Sequence, residues 1–166
     1  MPKTQFINPE EVRKSGKLNL GTIPVNTYQK TVKEELSRYS GEDLIRIYRD
    51  MLIIREFETM LNDIKTKGEY QGNSYTHPGP AHLSIGQEAA AVGMAYHLGV
   101  EDYIFGSHRS HGEILAKGLS AIEKLDEDRL MEIMKGYFDG RILSIVEKGH
   151  QGDVKSLAVK FLAYGT

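Results

Sequence analysis

After Ser40, apolar residues recur at helical spacing for some twenty positions: Leu44, Ile47, Tyr48, Met51, Leu52, Ile54, Phe57, Met60, Leu61 and Ile64. Spacing of three and four kept over about six turns sets these side chains along one side of a helix. A stripe that long must be buried against other elements, so the chain is committed to a helix-rich packed core. Ser40-Gly41-Glu42-Asp43 has the form of a capping box and marks the start. Glu42 and Asp43 meet the positive end of the helix dipole, Lys65 and Lys67 the negative end, and Gly68 is the stop signal. The stripe reads as packing surface rather than a cofactor site. With 166 residues, 40% hydrophobic and 27% charged, the chain has material for one domain or part of a larger one.

Before this helix, residues 1–39 are punctuated by Asn8-Pro9, Gly16, Gly21 and Pro24. They read as an extended arm with a short helix near 33–37, either a surface tail or an arm that wraps a partner. After it, residues 69–83 are rich in Gly, Pro, Ser, Asn and His and read as a long loop, of a length that is often functional. Ser84 is expected to cap a helix over 87–97 that ends at Gly99. Its small residues Ala89, Ala90, Ala91, Gly93 and Ala95 predict close helix packing. Asp102-Tyr103-Ile104-Phe105 reads as a short buried strand running into Gly106-Ser107-His108-Arg109. Ser110-His111-Gly112-Glu113 repeats the capping-box form and predicts a short helix stopped by Gly118, with another opening at Ser120. A helix over 129–138, a loop-like stretch over 139–152 and a last apolar helix over 157–164, started by Asp153 or Ser156, complete the reading. An apolar helix with nothing after it predicts that the sequence is a fragment.

Composition excludes some chemistry. No cysteine is present, so disulfides, thiolate nucleophiles and Cys-based metal sites are ruled out. A formal net charge of -2 gives no reason to expect nucleic acid or an anionic membrane as partner. No run approaches the roughly 18 apolar residues that span a bilayer. Residues 1–20 are polar and carry Glu10 and Glu11, unlike a signal or transit peptide. A cytoplasmic protein is the expectation.

Two places can carry chemistry. At the first, a strand leads into His108-Arg109 and then a capped helix start. Unpaired N–H groups and positive dipole at a helix N-terminus, beside a planar guanidinium, suit phosphate oxygens. His108 and His111 add donors nearby. The other reading is that Arg109 pairs with a carboxylate such as Glu113 and the histidines only cap. At the second, His82 ends a Gly/Pro loop ahead of Ser84-Ile85-Gly86-Gln87-Glu88-Ala89. It can project into a cleft and donate to a substrate carboxylate or carbonyl, or else merely satisfy loop backbone. Glu88 in a first turn reads as dipole compensation, and His97 at a helix end as structural; His150 has no context. His108-x-x-His111, with His77 and His82 on the loop, lacks the ligand number and acid spacing of a zinc site, and no metal ligand is expected in this stretch.

Taken in order and spacing, His82-Leu83-Ser84-Ile85-Gly86-Gln87-Glu88-Ala89, Val92-Gly93, Asp102-Tyr103-Ile104-Phe105 and His108-Arg109-Ser110-His111-Gly112 resemble the alpha subunits of thiamin-diphosphate-dependent 2-oxo acid dehydrogenases. These act on pyruvate, branched-chain 2-oxo acids or acetoin. Met51-Leu52-Ile53-Ile54-Arg55-Glu56-Phe57-Glu58 is similar to the family's opening helix. The likeness is strong over 40–118. It implies an α/β thiamin-diphosphate-binding fold, of which this stretch supplies a mostly α-helical opening with a short strand near 102–105. Residues 1–39 would be the arm and 40–166 the incomplete N-terminal part of that domain. By the same resemblance, His108 and Arg109 contact the cofactor's diphosphate. His82 lies in the active-site cleft and helps bind or protonate the substrate-derived species. His111 lies in the same cleft and is linked to acyl transfer. The implied reaction is decarboxylation of a 2-oxo acid and transfer of the acyl group to a lipoyl carrier. Its cofactors are thiamin diphosphate and Mg2+. Its partners are a beta-type subunit or fused beta domain and a lipoyl-bearing acyltransferase, in a homo- or hetero-oligomer.

The departures are specific. Gly106 stands where a hydroxyl residue is common and Ser110 where glycine is common, and the loop before His82 holds Pro78 and Pro80. The family's metal motif, Gly-Asp-Gly followed downstream by Asn, is absent; Gly152-Asp153-Val154 does not match it. Magnesium ligands are therefore expected downstream of Thr166, and the stretch alone is expected to be inactive. A non-catalytic helical assembly module of the same shape, or an unrelated helical phosphate-binding domain, are the other readings.

Overall fold

The long helix forms where its spacing places it. In the computed structural model, which describes residues 8–17, 19–76 and 79–166, residues Gly41–Lys67 make one helix, α3. Ser40 and Asp43 close the capping box, with Asp43 N–H on Ser40 Oγ at 3.1 Å and Ser40 N–H on Asp43 Oδ2 at 2.9 Å. Gly68 ends it at φ 67°, a left-handed conformation in which its N–H reaches the Ile64 carbonyl at 3.1 Å. Residues 1–7, Leu18, and His77 and Pro78 of the expected loop lie outside the described residues.

Met1–Arg38 and Tyr39–Thr166 are separate compact units. In the first, Pro9–Val12 (α1) and Val32–Glu35 (α2) are short helices. Thr31 and Glu34 make a reciprocal capping box at α2, which starts the helix just ahead of the expected 33–37.

In the second unit, Glu69–Tyr70 (β1) and Asn73–Ser74 (β2) pair as a small antiparallel hairpin where a plain loop is expected. Glu88–His97 (α4), His111–Lys124 (α5), Glu127–Gly136 (α6), Arg141–Val146 (α7) and Val154–Gly165 (α8) follow. The core lies in two clusters. Ile54 of α3, Ala91, Val92 and Ala95 of α4, and Leu115 and Ala116 of α5 form one. Ile122, Leu130, Met134, Leu143, Val146, Leu157 and Ala158 form the other, between α5 to α8. Leu162 of α8 packs against both. Of the small residues on α4, Ala91 and Ala95 are buried, while Ala89, Ala90 and Gly93 are exposed.

Several expectations are corrected. The strand expected at 102–105 does not form; Tyr103 and Phe105 are 90% and 98% exposed. A strand's hydrogen bonds come from a second strand beside it, and the one sheet among the described residues is the β1–β2 pair, which does not include these residues. Gly118 does not stop a helix, and Ser120 does not start one. Helix α5 runs through both, because Leu115, Leu119 and Ile122 are buried on either side of the glycine. That burial outweighs glycine's cost of roughly 1 kcal/mol in a helix. A Cβ at Gly118 would stand 2.5 Å from Leu162 Cδ2, so the glycine serves the approach of α8. Neither Ser84 nor Ser110 caps a helix; both hydroxyls have other partners, described below. The helix expected over 129–138 starts earlier, with Asp126 as N-cap, and ends at Gly136. Part of the expected 139–152 loop is α7, entered through a tight 3-10 turn, Tyr137–Gly140, in which Phe138, Asp139 and Gly140 take φ of 47°, 54° and 72°. Asp153 does cap α8, accepting the Ser156 N–H at 2.7 Å.

Candidate functional site

The candidate residues converge where α3, the segment leading into α4 and the start of α5 meet. His82 and His108 are both exposed, and their rings stand 4.6 Å apart between centroids in an edge-to-face arrangement. Arg109 is exposed, and its Nη1 donates to the Leu83 carbonyl at 3.3 Å. Its own carbonyl accepts the Ser84 hydroxyl. The His82 segment and the His108-Arg109 turn are thus joined at consecutive residues. Arg109 makes no ion pair with a carboxylate among the described residues. Glu113 is not its partner: Oε2 of that side chain is buried without a hydrogen bond.

His111 opens α5 and is half-buried. Its ring lies 6.1 Å from that of Phe57, and its Nδ1 stands 3.2 Å from Glu58 Oε1. Glu58 is fully buried, and its Oε2 accepts the Ser84 N–H at 2.8 Å. Ser84, expected to cap a helix, is itself buried and ties Glu58 to Arg109 through its two polar groups. The start of α5 has no side-chain cap, because the Ser110 hydroxyl turns back to the Ser107 carbonyl. Its first-turn N–H groups are left to whatever lies in front of them.

A second polar anchor holds the entry to α4. Arg55 of α3 reaches Glu88 with two bonds, Nε to Oε1 at 2.7 Å and Nη2 to Oε2 at 2.9 Å. The Gly86 N–H adds a third at 3.0 Å. The Arg55 guanidinium, and with it the Gly86 N–H, hold the Glu88 carboxyl down at about 2 against the opposing effect of burial. Glu88 therefore clamps the 82–87 segment to α3, beyond the dipole role expected of it. His97 of α4 makes aromatic contacts with Tyr39 and Tyr96.

Glu58, Arg55 and the role of Ser84 escaped the sequence reading. A signal for Glu58 was present: an acid four residues after Ile54 and one after Phe57 falls within the apolar stripe. Among the described residues no group of three or more His, Asp or Glu is placed to hold a metal ion.

Residues 48–151 match the model of the dehydrogenase E1 component family. The chain belongs to that family. Among relatives, it is 38% identical over 86 residues to the alpha subunit of acetoin:2,6-dichlorophenolindophenol oxidoreductase from Cupriavidus necator, covering 52% of this chain and 24% of the relative. It is 40% identical over 86 residues to the alpha subunit of the pyruvate dehydrogenase E1 component of Rhizobium meliloti, covering 52% and 23%. The Bacillus subtilis acetoin oxidoreductase alpha subunit is 37% identical over 89 residues, covering 54% and 25%. The chain thus spans about a quarter of the length of these relatives. No solved structure matches. The E1 match covers every site residue named above, and no helix among the described residues is long and apolar enough to cross a membrane.

Proposed function

We propose that this E1-family chain supplies the diphosphate-holding and substrate-facing residues of an alpha-type thiamin-diphosphate-dependent 2-oxo acid dehydrogenase. The observation that carries the reading is the state of Arg109. Its guanidinium is exposed and free of any carboxylate among the described residues, and it sits beside His108 and an uncapped helix start. A fixed guanidinium whose one hydrogen bond among the described residues goes to a neutral carbonyl, beside the N–H groups of a helix start, fits the oxygens of a diphosphate. The donor set therefore suits the cofactor, with Arg109 and His108 on the diphosphate.

Thiamin diphosphate, when bound, supplies the electron sink that lets a 2-oxo acid lose carbon dioxide. The chain's own residues position and protonate. His82, packed edge-on against His108, offers a ring N–H to the substrate's carboxylate or carbonyl. His111, backed by Glu58, handles a proton during acyl transfer to a lipoyl group. The Arg55–Glu88 clamp keeps the His82 segment in place. Magnesium would be held by residues other than those described here, and a beta-type subunit or domain and a lipoyl-bearing acyltransferase complete the assembly. The relatives' names, with acetoin and pyruvate in them, favour a small 2-oxo acid or acetoin as substrate.

Arg109→Ala tests the reading. In the assembled protein, thiamin diphosphate should bind roughly 10- to 150-fold more weakly, the equivalent of 1.5–3 kcal/mol for hydrogen bonds to a charged group. Titration calorimetry reads this directly, and unchanged affinity would remove Arg109 from the diphosphate.

A further inference from the structure

Glu58 is a fully buried acid to which the reaction above gives no step of its own. Its two oxygens face different segments: Oε2 takes the Ser84 N–H at 2.8 Å, and Oε1 faces His111 Nδ1 at 3.2 Å. A backbone N–H can only donate, and a carboxylate can only accept. The imidazole nitrogen that faces a carboxylate must then carry the proton. The Phe57 ring, edge-on to the imidazole at 6.1 Å, holds the ring plane.

We propose that Glu58 is a positioning residue that fixes the tautomer of His111: Nδ1–H is given to Glu58, and Nε2 keeps its lone pair. His111 then enters the reaction cycle as a proton acceptor at Nε2. When a lipoyl sulfur is acylated, a C–S bond forms and the S–S bond breaks. The departing sulfur must then gain a proton, while the hydroxyl on the acyl carbon loses one as the thioester carbonyl forms. Nε2 takes that hydroxyl proton and passes it to the departing sulfur, and Glu58 offsets the charge of the imidazolium in between. Through Ser84, whose hydroxyl binds the Arg109 carbonyl, the same carboxylate braces the turn that carries Arg109. The assignment of a role in acyl transfer rests on the proposed function; the tautomer rests on the geometry of Glu58, Ser84 and His111 alone.

The experiment is nitrogen-15 NMR of histidine-labelled full chain at about pH 8.5, some two units above the ordinary histidine range. The His111 signals are assigned by their loss in His111→Gln. The native protein should show a protonated Nδ1 and a bare Nε2. Glu58→Gln should invert this. The Ser84 N–H obliges the new side-chain oxygen to face it, so the amide NH2 must face Nδ1, and the proton moves to Nε2. Ser84→Ala keeps the backbone N–H and should leave the tautomer as in the native protein. In the assembled protein, Glu58→Gln should slow lipoyl acylation by roughly 100-fold, as expected for a lost general base. Thiamin diphosphate affinity should stay near native, since the Ser84 contact survives. A native His111 protonated at Nε2, or a Glu58→Gln protein with no inversion, overturns the proposal even if the variant is unstable, because the first needs no variant. An inverted tautomer with full acylation rate overturns the positioning role. Failure of the native assembly to bind thiamin diphosphate would instead remove the proposed function while leaving the tautomer result intact.

Discussion

The half of the molecule built on α3 to α5 and the half built on α6 to α8 bury different kinds of side chain. The cluster of Leu130, Met134, Leu143, Val146, Leu157 and Ala158 is apolar throughout. Asp50, Glu58, Ser84, Glu88 and Ser120, the buried polar residues among those described, all lie in or beside α3, α4 and α5. Apolar packing alone would hold a helix pair together at no desolvation cost. Buried acids cost several kcal/mol unless paired, and they are kept where a geometry has to be fixed. For Glu58, Ser84 and Glu88 that geometry is the junction of His82, Arg109 and His111, whereas Asp50 pairs with Arg46 and Arg49, and Ser120 bonds the Leu98 carbonyl. One half is a support, and the other carries a preorganised polar site on that support.

The contrast should break first under a core truncation. Met134→Ala, far from the site residues, is expected to cost about 2–5 kcal/mol of stability, from lost burial and the cavity left behind. Thiamin diphosphate affinity of the folded assembly should stay native. Denaturant midpoints together with calorimetry check both, and a large loss of affinity would show that the halves are not separable in this way.

A smaller effect is expected at the clamp. Arg55→Ala leaves Glu88 buried without its main partner. It should cost about 1–2 kcal/mol, at the low end for a charged hydrogen bond because Arg55 is half-exposed and screened. The change should also appear in the pH dependence. The folded values of Glu88, held down by Arg55, and of Asp43, held down by the Tyr96 hydroxyl and by Ser40, are both about 2, against ordinary values of 4.5 and 3.8. Depressed carboxyls stabilise the fold above their ordinary values, and this stabilisation is lost as pH falls from there towards about 2. Melting temperature should therefore fall through that window, and less steeply in Arg55→Ala. An identical acid limb in the variant would mean that Glu88 contributes nothing to it.

The smallest expected effect sharpens the comparison by being equal in both halves. Ser40→Ala at the start of α3 and Asp153→Ala at the start of α8 each remove a side-chain cap. Each should cost about 1 kcal/mol. Unequal losses, read from urea midpoints, would show that capping too is weighted towards one half.

Much of the helical content was legible from residues close together in the chain. The helix over Gly41–Lys67, its Ser40 box and its Gly68 stop are local signals, and they formed as read. So did the Asp153 cap. The burial expected of the stripe did not follow: of its ten residues only Ile54 is buried, and Leu44, Tyr48 and Leu52 are exposed. The readings that failed needed a distant partner. Ser84 and Ser110 have the sequence form of caps, but tertiary neighbours took their hydroxyls. Gly118 looked like a stop because Leu162, the reason for its small size, lies more than forty positions away. His82, His108, Arg109 and His111 were visible as candidates through their order and spacing. The buried acid behind them was hidden, since an acid within an apolar stripe does not reveal which donor it will meet.

By itself, then, the order of residues settled that α3, α4, α5, α6 and α8 form, though not α1 or α7, and which histidines and arginine belong to one family pattern. Helix spacing, capping and terminal glycine act within a turn or two, and such forces are written in neighbouring letters. Only the packed structure decided that Glu58 joins Ser84 to His111, that Arg55 holds Glu88, and that Arg109 meets no acid among the described residues. Pairing of buried charges depends on which elements come within hydrogen-bond reach, and that is fixed by the way α3, α4 and α5 cross.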